Sequence, residues 1–265
     1  MPPLNYGREV DSVLTDRSDG VLTVTLNRPE RKNAADTGVW QALLEIFREA
    51  GGSERDRVVV LTGAGGDFCA GADLSDLDSS TGHPLWRMRI IHDVAYALHR
   101  LSQPTIAKVD GVAVGAGCNL ALGCDLVVAS DRARFSEIFS RRGLSLDFGG
   151  SWLLPRRVGL HRAKELAFFG DLVGAAEAER IGLVNRVVPV DELDGFVDDW
   201  ARRLASGPPL ALALTKGLLD DSSGSSLEAA LDREGAAQSV NLLSGDGKEA
   251  LAAFLEKREP RFFGR

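Results

Sequence analysis

The residue most suggestive of chemistry is an isolated acid, Asp147, in the apolar, glycine-rich stretch GLSLDFGGSWLLPR at residues 143–156. Its neighbours include Leu146, Phe148 and Trp152. Two explanations fit an acid in this setting. Aspartate is a favoured helix N-cap, and SWLLPR is suited to open a helix just after it. Alternatively, apolar surroundings disfavour the charged form of a carboxyl group and raise its pKa, which suits it for transferring protons.

Two glycine-rich turns are a second candidate for chemistry. They are TGAGGDFCAGADL at residues 62–74 and DGVAVGAGCNLAL at residues 110–122, and each follows a predicted strand. Glycine lets the backbone approach a ligand closely and leaves amide groups pointing outward. Two such turns side by side would supply two N–H donors to one oxygen atom, which is an oxyanion hole. Either turn alone is also typical of a plain tight turn with small residues for close packing.

Several other kinds of site are disfavoured. The segment GAGCNL at residues 115–120 lacks the third glycine of the dinucleotide-binding motif, and the sequence has neither a Walker A loop nor a Gly-x-Ser-x-Gly elbow. His92 and His99 share one face of a predicted helix, where we expect a partly solvated surface and not a pair of metal ligands. We therefore expect no metal site and no separate cofactor.

The composition is that of an acidic globular protein, with 44% hydrophobic and 26% charged residues among 265. A formal net charge of −7 leaves no broad basic face, so nucleic acid is not expected as a partner. No apolar run is long enough to span a membrane, and the N-terminal MPPLNYGREV has no apolar signal-peptide core. The cysteines are three in number, Cys69, Cys118 and Cys124, and cannot all pair in disulfides within the chain. This predicts reduced thiols and a cytoplasmic location.

The pattern of elements predicts an α/β core followed by a helical region. Strands and helices alternate through roughly the first 190 residues, which favours parallel strands. Predicted strands cover 21–26, 58–63, 105–109, 125–130 and 133–135, and predicted helices cover 37–50, 83–101 and a short segment within 111–123. From Asp191 onward only helical patterns recur, at 191–206, 208–221, 225–243 and 246–257. We therefore divide the chain into a core at 1–195 and a helical region at 196–265, which packs on the core or on another subunit.

The order of several long motifs resembles the crotonase superfamily, the enoyl-CoA hydratases and isomerases. The motifs run from near Val21 to the C-terminus, and they are LNRPERKNA (26–34), FCAGADL (68–74), DGVAVGAGCNLALGCDLVVAS (110–130), AERIGLVNRVVP (178–189) and FLEKREPRFFGR (254–265). The resemblance implies an α/β spiral of ββα units with a C-terminal helical trimerisation region. It also implies a coenzyme A thioester as substrate and a homotrimer or a hexamer that is a dimer of trimers.

The resemblance assigns roles to individual residues of the two turns. The backbone amides of Ala72 and Ala116 would form the oxyanion hole that polarises the thioester carbonyl. Ala116 stands where many relatives have glycine, and its Cβ would narrow the pocket. The resemblance assigns contacts with CoA to Arg31, Lys32, Ala70, Asp73, Leu74, Phe254 and Lys257. The last two would reach the CoA of a neighbouring subunit.

The same resemblance bears on the reaction, because hydratases of this family use two glutamates around a water molecule. Their positions are occupied here by Asn119 and Phe139, neither of which can exchange a proton at neutral pH. Glu137 lies nearby, and we expect its side chain to be solvated or ion-paired. Hydration through the usual pair of acids is therefore disfavoured.

The stretch around Asp147 resembles the 1,2-epoxyphenylacetyl-CoA isomerase-like branch, in which an acid at this position is the catalytic acid/base. This favours isomerisation of an enoyl-CoA by Asp147, with Asn119 positioning substrate or charge without titrating. Trp152, Phe139 and Leu144 are candidates for lining the acyl pocket. Two alternatives stay open: a hydratase that uses Asp147 and a water, and an acyl-CoA-binding protein without turnover.

Overall fold

A computed structural model describes residues 12–75 and 83–264 of the chain. Its main sheet has six strands, of which the first two form an antiparallel hairpin and the others pair in parallel. In spatial order these strands are β1 (Val13–Ser18), β2 (Val21–Leu26), β3 (Val58–Gly63), β4 (Thr105–Val109), β6 (Leu126–Ser130) and β9 (Arg186–Val188). A smaller sheet contains β5 (Val112–Val114), β7 (Arg134–Ser136) and β8 (Val173–Gly174). The predicted α/β core with parallel strands is confirmed.

The helices of the core surround these sheets. They are α1 (Thr37–Gly51), α2 (Pro84–His99), α3 (Ala116–Leu122), α4 (Gly150–Val158), α5 (Leu160–Phe169) and α6 (Ala175–Arg180). At the start of α1, Asp36 is the N-cap, and its carboxylate accepts a hydrogen bond from the Val39 amide at 2.9 Å. The sequence patterns did not separate α4 from α5, nor did they reveal β1.

The main sheet is buried on both faces, which explains the unbroken apolar run of β3. Val59 and Leu61 point into the large core on the side of α1 and α2. Val58 and Val60 point to the opposite face and pack against α7 (Leu193–Ala205). Because side chains alternate across a strand, a strand covered on both sides must be apolar at every position.

The C-terminal region is helical, as predicted. After α7 it contains α8 (Pro209–Ser222), α9 (Leu227–Leu243) and α10 (Gly245–Glu256). The proposed division at residue 195 falls inside α7, which packs on the main sheet, and the two-part organisation stays a prediction. The last three helices bury very little, since α8 and α9 contain no buried residue.

Two smaller observations concern thiols and membranes. Cys69, Cys118 and Cys124 are all free and buried, as expected for reduced cysteines. Among the helices of residues 12–75 and 83–264, none combines the length and the apolar character needed to cross a bilayer.

Candidate active site

The two glycine-rich turns lie in direct contact. Cys69 of the first turn pairs with Ala113 of the second in a parallel bridge. Gly71 has a φ of +96°, and a Cβ there would lie 2.7 Å from the Val114 carbonyl oxygen and 3.6 Å from the Ala116 nitrogen. Gly117 approaches as closely, since its Cβ would lie 2.3 Å from the Cys69 carbonyl oxygen. Only glycine permits contacts this short, so the spacing of these glycines positions the two turns side by side.

The amides predicted to form an oxyanion hole belong to these touching turns. Around Ala72, the Ala35 amide donates to the Gly71 carbonyl and the Asp73 amide donates to the Ala35 carbonyl, at 2.8 and 2.9 Å. Ala116 is the first residue of α3, whose opening amides have no partner within the helix. Within the described residues, neither Ala72 nor Ala116 donates a backbone hydrogen bond. Both amides are therefore free to donate to a bound oxygen atom, and their role stays a prediction.

The early LNRPERKNA segment braces the first turn. The side-chain Nδ2 atom of Asn33 donates to the Ala64 and Asp67 carbonyls at 2.8 and 2.6 Å. The Arg28 guanidinium pairs with Asp73, the residue after Ala72, at 3.0 Å. A hydrogen bond from Ser75 is the largest cause of the lowered pKa of Asp73, and Arg28 adds to it. The Asp73 carboxylate is thus held within the protein, and a direct contact of Asp73 with CoA stays a prediction.

The other residues assigned to CoA fall into two groups. Around the first turn, Ala70 donates its amide to the Lys32 carbonyl at 2.9 Å, and Arg31, Lys32 and Leu74 are exposed. Phe254 and Lys257 lie at the end of α10, and within the described residues no hydrogen bond or ion pair joins them to the first group. The structure of one chain therefore brings together five of the seven residues in one surface region.

Asp147 lies between a 3₁₀ turn and α4, and it is not the helix cap. The N-cap of α4 is Gly149, and no side chain caps this helix. Phe148 and Gly149 both have positive φ, at +48° and +79°, so the chain turns sharply between Asp147 and the helix, and the Asp147 carboxyl group makes no capping hydrogen bond to α4. Burial raises the pKa of Asp147 to about 6. The N-cap explanation is wrong, and the proton-transfer explanation remains.

Asp147 faces a cavity of about 520 Å³ between α2 and α4. Its lining residues are His92, Ala95, Tyr96, His99, Gly123, Leu146, Asp147, Phe148, Gly149, Ser151, Trp152 and Leu153. Of the three residues expected to line an acyl pocket, only Trp152 lines this cavity. Phe139 is buried against Gly115, and Leu144 is exposed.

The histidines of α2 contribute to this cavity as well as to the surface. His92 is exposed, whereas His99 is half-buried and packs edge-on against the Trp152 ring, with centroids 5.3 Å apart. Arg156 lies over the same ring at 4.0 Å. Within the described residues no group of three or more histidine, cysteine or carboxylate side chains is arranged to hold a metal ion.

Asn119 links Asp147 to the second turn. It lies on α3, one turn after Ala116, and its Nδ2 atom donates to the Asp147 carbonyl oxygen at 3.1 Å. Asn119 is completely buried, and Gly150 packs so closely on it that a Cβ there would lie 2.4 Å from Nδ2. Asn119 therefore contacts Asp147 through the backbone oxygen of Asp147, and its role in positioning substrate or charge stays a prediction.

Glu137 is the residue that the sequence analysis misplaced. It is neither solvated nor ion-paired within the described residues, because it is 2% exposed and accepts a hydrogen bond from Asn119 Nδ2 at 3.3 Å. Burial raises its pKa to about 7, hydrogen bonds from Cys118 and Asn119 oppose this rise, and the nearby charge of Asp147 adds to it. Its position after the short strand β7 turns it inward, which no periodic pattern in ARFSEIF indicates.

Comparisons with known proteins identify the family. The sequence model of the enoyl-CoA hydratase/isomerase family matches residues 16–265. The chain is 38% identical to 1,2-epoxyphenylacetyl-CoA isomerase of Escherichia coli K12 over 97% of its length and 100% of that protein. It is 34% identical to short-chain-enoyl-CoA hydratase of Clostridium acetobutylicum over 95% of its length and 97% of that protein.

A solved structure supports the same assignment at the level of the fold. The chain superimposes on enoyl-CoA hydratase of Mycobacterium smegmatis with a TM-score of 0.90 and 36% identity, covering 95% of this chain and 98% of that one. The predicted crotonase-like fold is confirmed. This chain belongs to the enoyl-CoA hydratase/isomerase family of the crotonase superfamily and is an enzyme of that family.

Proposed function

We propose that the enzyme moves a double bond in an enoyl-CoA thioester, with Asp147 as the only group that carries the proton. The observation that supports this most directly is the state of Asp147. Asp147 lines the cavity between α2 and α4, and burial raises the pKa of its carboxyl group to about 6. A carboxyl group with a pKa just below neutrality is largely ionised at pH 7 and still holds a proton long enough to return it.

The reaction needs one base, one acid and a site for negative charge. The amides of Ala72 and Ala116 bind the thioester oxygen. The Asp147 carboxylate removes a proton from the γ-carbon, and the electron pair of that C–H bond passes into a dienolate whose negative charge rests on the thioester oxygen. The protonated Asp147 then returns the proton to the α-carbon, which moves the double bond from C2–C3 to C3–C4 and restores the carboxylate. In the opposite direction the Asp147 carboxylate takes the α-proton of a 3-enoyl-CoA, the same dienolate forms, and the proton is delivered to the γ-carbon, which moves the double bond from C3–C4 to C2–C3. Asn119 keeps the Asp147 backbone in place and does not titrate.

The remainder of the substrate is the CoA moiety. Arg31 and Lys32 are exposed beside the first turn and carry the charge that suits phosphate groups. Ala70, Asp73 and Leu74 flank the same surface. Phe254 and Lys257 would approach CoA from a neighbouring copy in a homotrimer or hexamer. The thioester itself supplies the activated carbonyl, and no further cofactor is needed.

A hydratase that uses Asp147 and a water molecule is the second candidate. One observation favours it, namely that Glu137 gives the site a second carboxyl group beside Asp147. Against it, the two positions that carry the hydratase glutamates by resemblance hold Asn119 and Phe139. A carboxyl group as deeply buried as Glu137 also has little access to a water molecule in the cavity.

Two assays and one substitution test this proposal. The purified enzyme should convert a 3-enoyl-CoA to the 2-enoyl-CoA faster than it hydrates crotonyl-CoA. Asp147→Asn should lower isomerisation by roughly 10²–10⁴-fold, because the amide cannot carry a proton. Binding of a CoA thioester, measured by calorimetry, should be retained. Asp199→Asn on the exposed face of α7 is the matched control and should leave the rate unchanged.

The results separate the three possibilities. Faster hydration of crotonyl-CoA by the wild type would favour the hydratase. Isomerisation that survives in Asp147→Asn would exclude Asp147 as the proton carrier. Binding of CoA esters with no turnover of any enoyl-CoA would indicate an acyl-CoA-binding protein.

A further inference from the structure

Glu137 is a second buried carboxyl group next to Asp147, and the proposed mechanism does not use it. It is 2% exposed, and no positively charged side chain of the described residues stabilises its charge. Burying an ionised carboxylate without a cation is costly, so such a group remains neutral to a higher pH than usual. Accordingly, burial and the neighbouring charge of Asp147 raise the pKa of Glu137 to about 7.

The contacts of Glu137 connect it to the catalytic region. Asn119 Nδ2 donates both to Glu137 Oε2 at 3.3 Å and to the Asp147 carbonyl oxygen at 3.1 Å. The Cys118 thiol donates to the same carboxyl group. Burial raises the pKa of Cys118 well above its usual value, so this thiol stays neutral and remains a donor. Glu137 thus fixes the position of the Asn119 side chain by a hydrogen bond, and Asn119 in turn fixes the Asp147 backbone by another.

The cluster also has more acceptors than donors. Within the described residues, three of its buried oxygen atoms accept no hydrogen bond: Asn119 Oδ1, Glu137 Oε1 and Asp147 Oδ1. Unpaired buried acceptors are unfavourable, and a proton on one carboxyl group changes an acceptor into a donor. Glu137 is the more deeply buried of the two acids and is therefore the one that keeps its proton while Asp147 ionises.

We infer that Glu137 is a positioning residue that works in its neutral form, holding Asn119 against the Asp147 backbone and keeping a second negative charge out of the site. The inference rests on the proposed function, in which Asp147 is the base. The proton of Glu137 stays on Glu137 throughout and is not passed to the substrate. When Glu137 ionises, two carboxylates and the developing dienolate share one poorly solvated region, and their repulsion opposes formation of the dienolate.

This arrangement predicts a bell-shaped pH profile for isomerisation. The value of kcat/KM should rise as Asp147 ionises near pH 6 and should fall as Glu137 ionises near pH 7. Glu137→Gln keeps the shape and the hydrogen bond from Asn119 but cannot ionise. This variant should retain the rise near pH 6 and lose the fall, so that the rate reaches a plateau up to pH 8.5.

Other titratable groups face the same region and require controls. Cys118 contacts Glu137 from α3, while His92, His99 and Tyr96 face Asp147 across the cavity from α2. The profiles are therefore also recorded for His92→Asn and His99→Asn, which should keep the fall above pH 7. Glu177→Gln, which removes an exposed carboxylate paired with Arg180, is the matched control and should behave like the wild type.

Two outcomes would overturn the inference. The first is a Glu137→Gln enzyme whose rate falls above pH 7 as the wild type does. The second is spectroscopic and does not require Glu137→Gln to fold. In Asp147→Asn we expect the infrared band of a protonated carboxyl group at pH 6, and we expect it to vanish at high pH. Its absence at pH 6 would show that Glu137 is ionised. Either result leaves the proposed function intact, whereas survival of isomerisation in Asp147→Asn would remove that function.

Discussion

At the scale of single residues, the site depends on the side-chain amide of Asn119, which donates hydrogen bonds to two acidic residues. Asn119 Nδ2 contacts Glu137 and the Asp147 backbone together, and the absence of a side chain at Gly150 makes room for it. Such an arrangement has an energetic cost, because both carboxyl groups are protonated more easily in the folded enzyme than in the unfolded chain. Stability is therefore lost as the pH rises through the range in which these groups ionise.

Glu137→Gln should change how stability depends on pH. The pKa of Glu137 is about 7 in the folded enzyme, against an ordinary value of 4.5. The unfolded chain loses this proton first, so the stability of the wild type relative to Glu137→Gln should fall between pH 4.5 and 7 and stay constant above that range. The full difference is at most about 3 kcal/mol. Thermal unfolding of both proteins between pH 4.5 and 8.5 measures it, and parallel curves would contradict the prediction.

At the scale of elements, the two turns work as a pair because glycines let their backbones touch. Gly71 and Gly117 face the opposite turn with no space for a Cβ. The amides of Ala72 and Ala116 take their relative position from this contact. A change at either glycine therefore acts on the distance between two amides without touching a catalytic side chain.

Gly71→Ala should impair catalysis more than it impairs folding. The substitution places a methyl group 2.7 Å from the Val114 carbonyl oxygen at a φ of +96°, so the turns must move apart. We expect kcat to fall by about 10²-fold, as when one donor of an oxyanion hole is lost. Gly20→Ala is the control, because Gly20 has a φ of +82° in the β1–β2 hairpin and its Cβ would meet only Arg57 side-chain atoms at 3.5 Å.

Steady-state kinetics measures the activity of Gly71→Ala and Gly20→Ala, and thermal unfolding measures their stability. Both should lose stability of the order of 1 kcal/mol or more from strain at positive φ. Only Gly71→Ala should lose activity out of proportion to stability. Equal losses of activity in the two variants would mean that the contact between the turns does not control the amides.

The elements also show which parts of the structure the sequence could predict. Long apolar runs such as VVVLTG determine buried strands, because a strand covered on both faces cannot alternate. The hairpin strand β1 was missed because VLTDRS is mostly exposed and carries no apolar face. That Asp147 does not cap α4 depends on the positive φ of Phe148, and the residue type of Phe148 does not indicate such a φ. Glu137 was misplaced because a glutamate is rarely buried without a cation.

At the scale of the whole molecule, the C-terminal region combines a tethered end with an uncovered apolar surface. Asp246 accepts hydrogen bonds from the Phe263 and Gly264 amides at 2.7 and 2.9 Å, and Arg57 donates to the Phe262 carbonyl at 3.1 Å. These contacts hold the chain end against the core. Large apolar side chains of α8, α9 and α10 are nevertheless exposed, namely Leu219, Leu227, Leu231, Val240, Leu242, Leu243, Leu251, Phe254 and Leu255.

Large apolar side chains exposed in such number favour association between copies of the chain, and we expect them to set the oligomeric state of the enzyme. We expect the wild type to sediment as three or six copies. Leu243→Glu places a charge on a side chain that is 77% exposed at the end of α9, and it should shift the enzyme towards the monomer. The matched control is Leu14→Glu on β1. Leu14 is 42% exposed and lies outside this region, so this variant should leave the assembly unchanged.

If Phe254 and Lys257 reach the CoA of a neighbouring copy, KM for the CoA thioester should rise as Leu243→Glu dissociates. Analytical ultracentrifugation gives the assembly and dilution kinetics give KM, and a wild type that sediments as a monomer at micromolar concentration would contradict both expectations.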